Sequence, residues 1–165
     1  PGSVSHVTVA SRGLALGFVR QAPQDDMYLF TKEYLEDEIC RALAGGVAEE
    51  TVLGGRSTGA YADHRQATEL ARRLVFGGMS RLGVVSEDTL PEAQLHRVVT
   101  EIAREQEERA RRLLTAHRQL LTALAERLLE QESLSGDELR SLLRGEDPGG
   151  VQLALPLPEA QAAAG

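Results

Sequence analysis

The stretch STGAYADHRQATELARRL, Ser57 to Leu74, sets an acid and a histidine side by side at the head of a helical pattern. An aspartate can ligate zinc alongside two histidines, so Asp63 raises the question of a metal site. Three more histidines, His6, His96 and His117, are scattered along the chain, and no two of the four stand at i, i+4. No H-E-x-x-H is present, so these residues spell no complete zinc-protease motif. The residue chemistry of Asp63 by itself fits a helix start, where an acid favours the positive end of the dipole. His64 reads as an exposed histidine, His6 as a surface or cross-strand residue, and His117 as a satisfied, semi-buried residue on an apolar face.

A second acidic feature is the pair Glu49-Glu50 at the end of a helical stretch. Adjacent helix residues point about 100° apart, so at most one of the pair faces the core. The single cysteine, Cys40, falls among Leu35, Ile39 and Leu43 at helical spacing and reads as a buried structural thiol. Gly45-Gly46 and Gly54-Gly55 lack the lysine and preceding strand of a phosphate loop, and no serine sits in a G-x-S-x-G context.

The elements that must position these residues read as mainly helical. At 165 residues with 42% hydrophobic and 26% charged content, the chain suits one soluble domain with a core. Aromatics make up 4% and tryptophan is absent, so Leu, Val and Ala must build that core. A net charge of −7 argues against a general grip on nucleic acid. Of 18 basic residues only Lys32 is a lysine, a bias read as genome composition. No run reaches the roughly 18 apolar residues of a membrane span. The chain opens in mid-pattern without a methionine, as a fragment of a longer protein would.

Val4–Val9 and Leu14–Val19 alternate as strands around Ser11-Arg12-Gly13 and predict a β-hairpin. Thr31 caps a helix that Gly45-Gly46 is expected to stop or bend, with Val47–Leu53 a short second helix closed by Gly54-Gly55. Ser57 or Thr58 caps a helix to about Phe76, and Gly77-Gly78 ends it. Pro91 opens the longest helical region, with a break expected near Ala116–Arg118. Ser135 and Glu138 form a capping box for a last helix through Leu143. The expected organisation is a hairpin and loop (1–30), the Asp63-bearing helices (31–85), long C-terminal helices (86–144) and a flexible tail (145–165).

Taken in order, VSHVTVASRGLALGF, LAGGVAEETVLGG, STGAYADHRQATELARRLV, GGMSRLGVV and ERARRLLTAHRQLLTALAERLLEQESLSGDEL resemble the C-terminal part of the FtsH-family peptidase domain. The resemblance runs from about Val4 to Leu143. It implies a helical peptidase-type domain with a small N-terminal β-hairpin, part of a membrane-anchored, hexameric, ATP-dependent zinc metalloprotease. Asp63 then corresponds to the third zinc ligand, and Glu49 or Glu50 to a residue supporting a ligating histidine. The other two ligands and a glutamate general base belong to an H-E-x-x-H ahead of residue 1, so these 165 residues are expected to be inactive alone. ATP would bind a separate AAA ATPase domain, the substrates would be unfolded or membrane proteins, and the site would face the cytoplasmic side of the bacterial inner membrane. Ala62 replaces the usual Asn before the ligand Asp, Gly46 the usual Arg, and Val84 a common Pro. Those departures leave open a second reading, a non-catalytic scaffold or interaction module.

Overall fold

The computed structural model describes residues 4–9, 18–21 and 29–144. They fall into two compact units, one drawn from Pro1–Asp25 with His117–Gly165 and the other from Asp26–Ala116. Helices dominate, and the one sheet among the described residues is small.

In the second unit, three helices carry the core: α1 (Lys32–Leu53), α2 (Tyr61–Phe76) and α3 (Glu92–Ala116). Thr31 caps α1 as its spacing predicts, its hydroxyl accepting the Tyr34 N–H at 3.2 Å. Leu35, Ile39 and Leu43 of α1 pack against Ala67, Ala71 and Leu74 of α2, and against Leu95, Val98 and Val99 of α3. The two buried alanines of α2 leave room for close approach of its neighbours. Met79, Leu82, Val85 and Leu90 of the connector close the open side of this cluster.

The expectation that Gly45-Gly46 would stop or bend the first helix fails. α1 runs unbroken for 22 residues, so Val47–Leu53 is its continuation and not a second helix. Glycine lowers helix propensity by about 1 kcal/mol per residue relative to alanine, which Val47 and the flanking core offset by burial. Gly46 is itself buried, and a methyl group there would stand 3.3 Å from Cβ of Ala60. The glycine is thus a packing requirement, not a terminator. The helix ends at Gly54, which adopts the left-handed conformation (φ 77°) and donates its N–H to Glu50 O.

The middle of α3, Arg104 to Arg112, is almost entirely charged or polar in sequence, yet the helix buries Gln106 and Ala110. Ala110 packs with Cys40 and Val47, and Arg109 pairs with Asp37 at 2.7 Å. Small and polar groups therefore continue the α1 contact where leucines run out.

In the first unit, β1 (Val4–Thr8) pairs antiparallel with β2 (Phe18–Gln21), as a hairpin demands, with Val7 opposite Val19. The second strand lies further along than expected; residues 14–17 of the predicted strand lie outside the described residues. A third strand, β3 (Ser133–Ser135), flanks β1 on its other side, giving the order β2-β1-β3. No alternation marks a three-residue strand, and its pairing with a segment some 125 residues earlier is invisible locally. Leu134 at its centre is almost wholly buried opposite Val7.

The long helical region does break at His117, after which α4 (Arg118–Gln131) begins. Glu132 caps α4 at φ 60°, and its carbonyl accepts both the Thr8 hydroxyl (2.9 Å) and the Val9 N–H (3.0 Å). Those two bonds offset a left-handed conformation that costs a non-glycine residue about 1–2 kcal/mol. The Ser135–Glu138 capping box is present in both directions and starts α5 (Gly136–Arg144). Gly136 sits directly on the Val4 carbonyl, where no Cβ could fit. The expected tail, 145–165, lies outside the described residues.

Candidate functional site

Asp63 stands in the first turn of α2, half-buried, with its Oδ2 3.7 Å from where a methyl on Gly45 would lie. His64 beside it is exposed, and its Nε2 is likewise 3.7 Å from a methyl placed on Gly46. Gly46, where a methyl would also stand 3.3 Å from the Ala60 Cβ, is the point at which a missing side chain lets the head of α2 lie close against the middle of α1. A 3₁₀ turn, Thr58–Ala60, precedes α2 and carries the cap that the sequence assigned to the helix: Ser57 Oγ accepts the Gly59 N–H at 3.2 Å. Ala60, at the start of α2 proper, makes no side-chain cap.

Among the described residues, the Asp63 carboxylate has no hydrogen bond and no ion pair. An acid with free lone pairs at a helix head can ligate a cation, but one carboxylate is not a site. No group of three His, Cys, Asp or Glu among the described residues could hold a metal ion. The residues present therefore fit one ligand position of a zinc centre and no more. An open groove of 710 Å³ runs past Tyr61, His64 and Thr68 on α2, and Asp63 does not line it.

Glu49 and Glu50 are both partly exposed, and both turn to the loop after α1. Glu49 Oε2 accepts the backbone N–H of Ser57 at 2.9 Å. That bond, with the Ser57 hydroxyl, holds the Glu49 carboxyl below the ordinary glutamate range. Glu50 Oε2 accepts from Arg56 Nε at 3.0 Å and Nη2 at 2.6 Å, and from Arg111 Nη2 of α3 at 3.0 Å. The two guanidiniums lower the Glu50 pKa, Arg56 first. Arg56 also bonds Glu107, and Arg111 reaches Glu107 at 3.3 Å, so two arginines and two glutamates close a ring. Sequence reasoning singled out neither Arg56 nor Arg111. The second lies 61 residues from its partner, beyond any local signal.

The remaining candidates separate. Cys40 is a buried thiol, its pKa pushed up mainly by that burial, as expected of a structural cysteine. His96 is exposed on α3. His117 corrects its expectation: its Nδ1 is buried without a hydrogen-bond partner, so the residue is semi-buried but not satisfied. It stands at the break between α3 and α4, within the span where the sequence predicts one.

The family model of peptidase family M41 matches residues 2–95, which include α1, the 3₁₀ turn, Asp63 and the rest of α2. The chain belongs to peptidase family M41. It is 41% identical over 160 residues to the "ATP-dependent zinc metalloprotease FtsH" of Acidimicrobium ferrooxidans, covering 85% of this chain and 24% of that protein. It is 35% identical to the "ATP-dependent zinc metalloprotease FtsH 1" of a Thermoanaerobacter species, over 92% of this chain and 28% of the relative. For the FtsH of Pseudothermotoga lettingae the figures are 36% identity, 87% and 26%. This M41 chain thus spans about a quarter of the length of the curated relatives it matches. No helix among the described residues is long and apolar enough to cross a membrane.

Proposed function

We propose that residues 1–144 are the C-terminal part of the peptidase domain of an ATP-dependent zinc metalloendopeptidase, and that Asp63 is one of its zinc ligands. The observation that carries this reading is the free, half-buried Asp63 carboxylate at the head of α2, within the segment that matches family M41. The names of the relatives support zinc as the metal and ATP as the energy source. Two histidine ligands and a glutamate base come, in this proposal, from an H-E-x-x-H segment of the same polypeptide outside these 165 residues. When bound, zinc supplies Lewis acidity for peptide hydrolysis. This chain's own contribution is a carboxylate held in place by the packing of α2 on Gly45-Gly46 of α1. An AAA ATPase domain of the same polypeptide, assembled as a hexamer at the cytoplasmic side of the bacterial inner membrane, would deliver unfolded or membrane proteins.

The test is Asp63→Asn in the full-length protein, a nearly isosteric change that removes the charge. Zinc content and degradation of an unfolded protein should both be lost while ATP hydrolysis persists. Retention of stoichiometric zinc by the variant would refute the assignment. A full-length wild type that holds no zinc would favour the non-catalytic scaffold. The 165-residue chain alone should cleave nothing, and chelator-sensitive proteolysis by it would contradict the proposal.

A further inference from the structure

Two adjacent carboxylates at the end of α1 grip two adjacent residues of the loop that follows. Glu49 takes the Ser57 backbone N–H, and Glu50 takes the Arg56 guanidinium in a two-point contact. Because neighbouring helix residues diverge by about 100°, the two grips approach from different directions and fix both the place and the rotation of the loop. Arg56 and Arg111 then tie the same point to Glu107 on α3.

All four residues of the loop, 54–57, are exposed. Val52 and Leu53, at the end of α1, are exposed, Leu53 by 76%. Positions 54 and 55 are glycines with no atom within 4 Å of where a Cβ would stand. A loop without burial is defined by its polar contacts or is mobile. Here those contacts lead straight to Asp63: Ser57 caps the 3₁₀ turn, the turn runs directly into α2, and Asp63 lies in the first turn of that helix.

We propose that Glu49 and Glu50 are positioning residues for Asp63, acting by clamping Ser57 and Arg56 and not by touching a metal ligand. This rests on the reading of Asp63 as a zinc ligand. It departs from the expectation, drawn from the resemblance, that one of the pair supports a histidine. A ligand held within a few tenths of an ångström needs a rigid approach on both sides. On one side the di-glycine contact supplies it, and on the other the clamp does.

The test uses Glu49→Gln and Glu50→Gln, which keep side-chain size, with the shortened Arg56→Gln and the Glu50→Gln/Arg56→Gln double variant, all of which should match the wild type by far-UV circular dichroism. In the 165-residue chain, amide exchange over residues 56–63 should rise about fivefold, the factor expected for loss of one modest hydrogen bond, while the Leu95–Ile102 core is unchanged. In the full-length protein, zinc affinity measured against a chromophoric chelator should fall about 10- to 100-fold, as for other residues that orient metal ligands. Arg56→Gln should reproduce Glu50→Gln, and the double variant should lose no more than the worse single one. Unchanged exchange over 56–63 overturns the clamp, as does a full, additive loss in the double variant. Raised exchange with wild-type zinc affinity overturns the positioning role but leaves Asp63 as a ligand, provided that Asp63→Asn loses zinc. Zinc retained by Asp63→Asn overturns both.

Discussion

Replacing Gly46 with alanine adds one methyl group at the tightest point between α1 and the head of α2. Replacing Gly45 adds the same group one residue earlier, on an exposed position of the same helix. Each change should gain about 1 kcal/mol of helix propensity, so the difference between them isolates packing. At Gly45 the methyl would meet Asp63 Oδ2 at 3.7 Å, an ordinary contact. That variant should be stabilised by about 0.5–1 kcal/mol. At Gly46 the methyl would meet the Ala60 Cβ at 3.3 Å, inside the roughly 3.5–4.0 Å at which carbon pairs are most favourable. Ala60 is buried between the 3₁₀ turn and α2, so its retreat must shift both. Overpacking of this kind costs about 1–3 kcal/mol, leaving Gly46→Ala between unchanged and about 2 kcal/mol less stable than the wild type. Urea unfolding followed by far-UV circular dichroism should therefore separate the two alanine variants by about 1–3 kcal/mol. In a thermal melt each kcal/mol corresponds to about 2–4 °C for a chain of this size. Equal stabilisation of both variants would refute the claim that Gly46 is required by the contact with Ala60.

Cys40 should react with a disulfide reagent only as the chain unfolds, because the thiol is 8% exposed and burial, more than the nearby Asp37, raises its pKa; prompt stoichiometric labelling in native buffer would contradict this. Acid should destabilise the fold through Glu49, Glu50 and Glu138, whose carboxyls are held low by Ser57, by Arg56 with Arg111, and by Ser135. A lowered folded pKa contributes stability that is fully present above the unfolded value, about 4.3, and is lost as pH falls through the folded one. Melting temperatures should therefore drop below that pH, and the drop should be shallower in Glu49→Gln/Glu50→Gln; identical acid profiles would count against the two bonds.

Much of the helical frame was legible because its signals are local. Thr31 and Tyr34 lie within one turn, as do Ser135 and Glu138, and each pair forms the cap its spacing implies. The apolar spacing of Leu35, Ile39 and Leu43 is repeated in the buried face of α1. The same local logic misread Gly45-Gly46. Propensity counts the backbone entropy of a glycine but cannot count the neighbour that needs its missing side chain. Asp63 was legible as a candidate only through the order of segments around it. Its lack of any hydrogen bond or ion pair among the described residues is a property of the packed chain.

The sequence by itself determined the caps at Thr31 and Ser135, the buried face of α1 through Leu35, Ile39 and Leu43, and membership in family M41, because caps, periodicity and segment order are written within a few residues of one another. Only the tertiary structure decided what the glycines and the paired glutamates are for. Gly46 answers to Ala60, Glu49 to Ser57, and Glu50 to both Arg56 and Arg111. β3 exists only because β1 offers it an edge. Those partners are chosen by which surfaces the folded helices and strands bring together, and a residue's own neighbours in the chain carry no record of that choice.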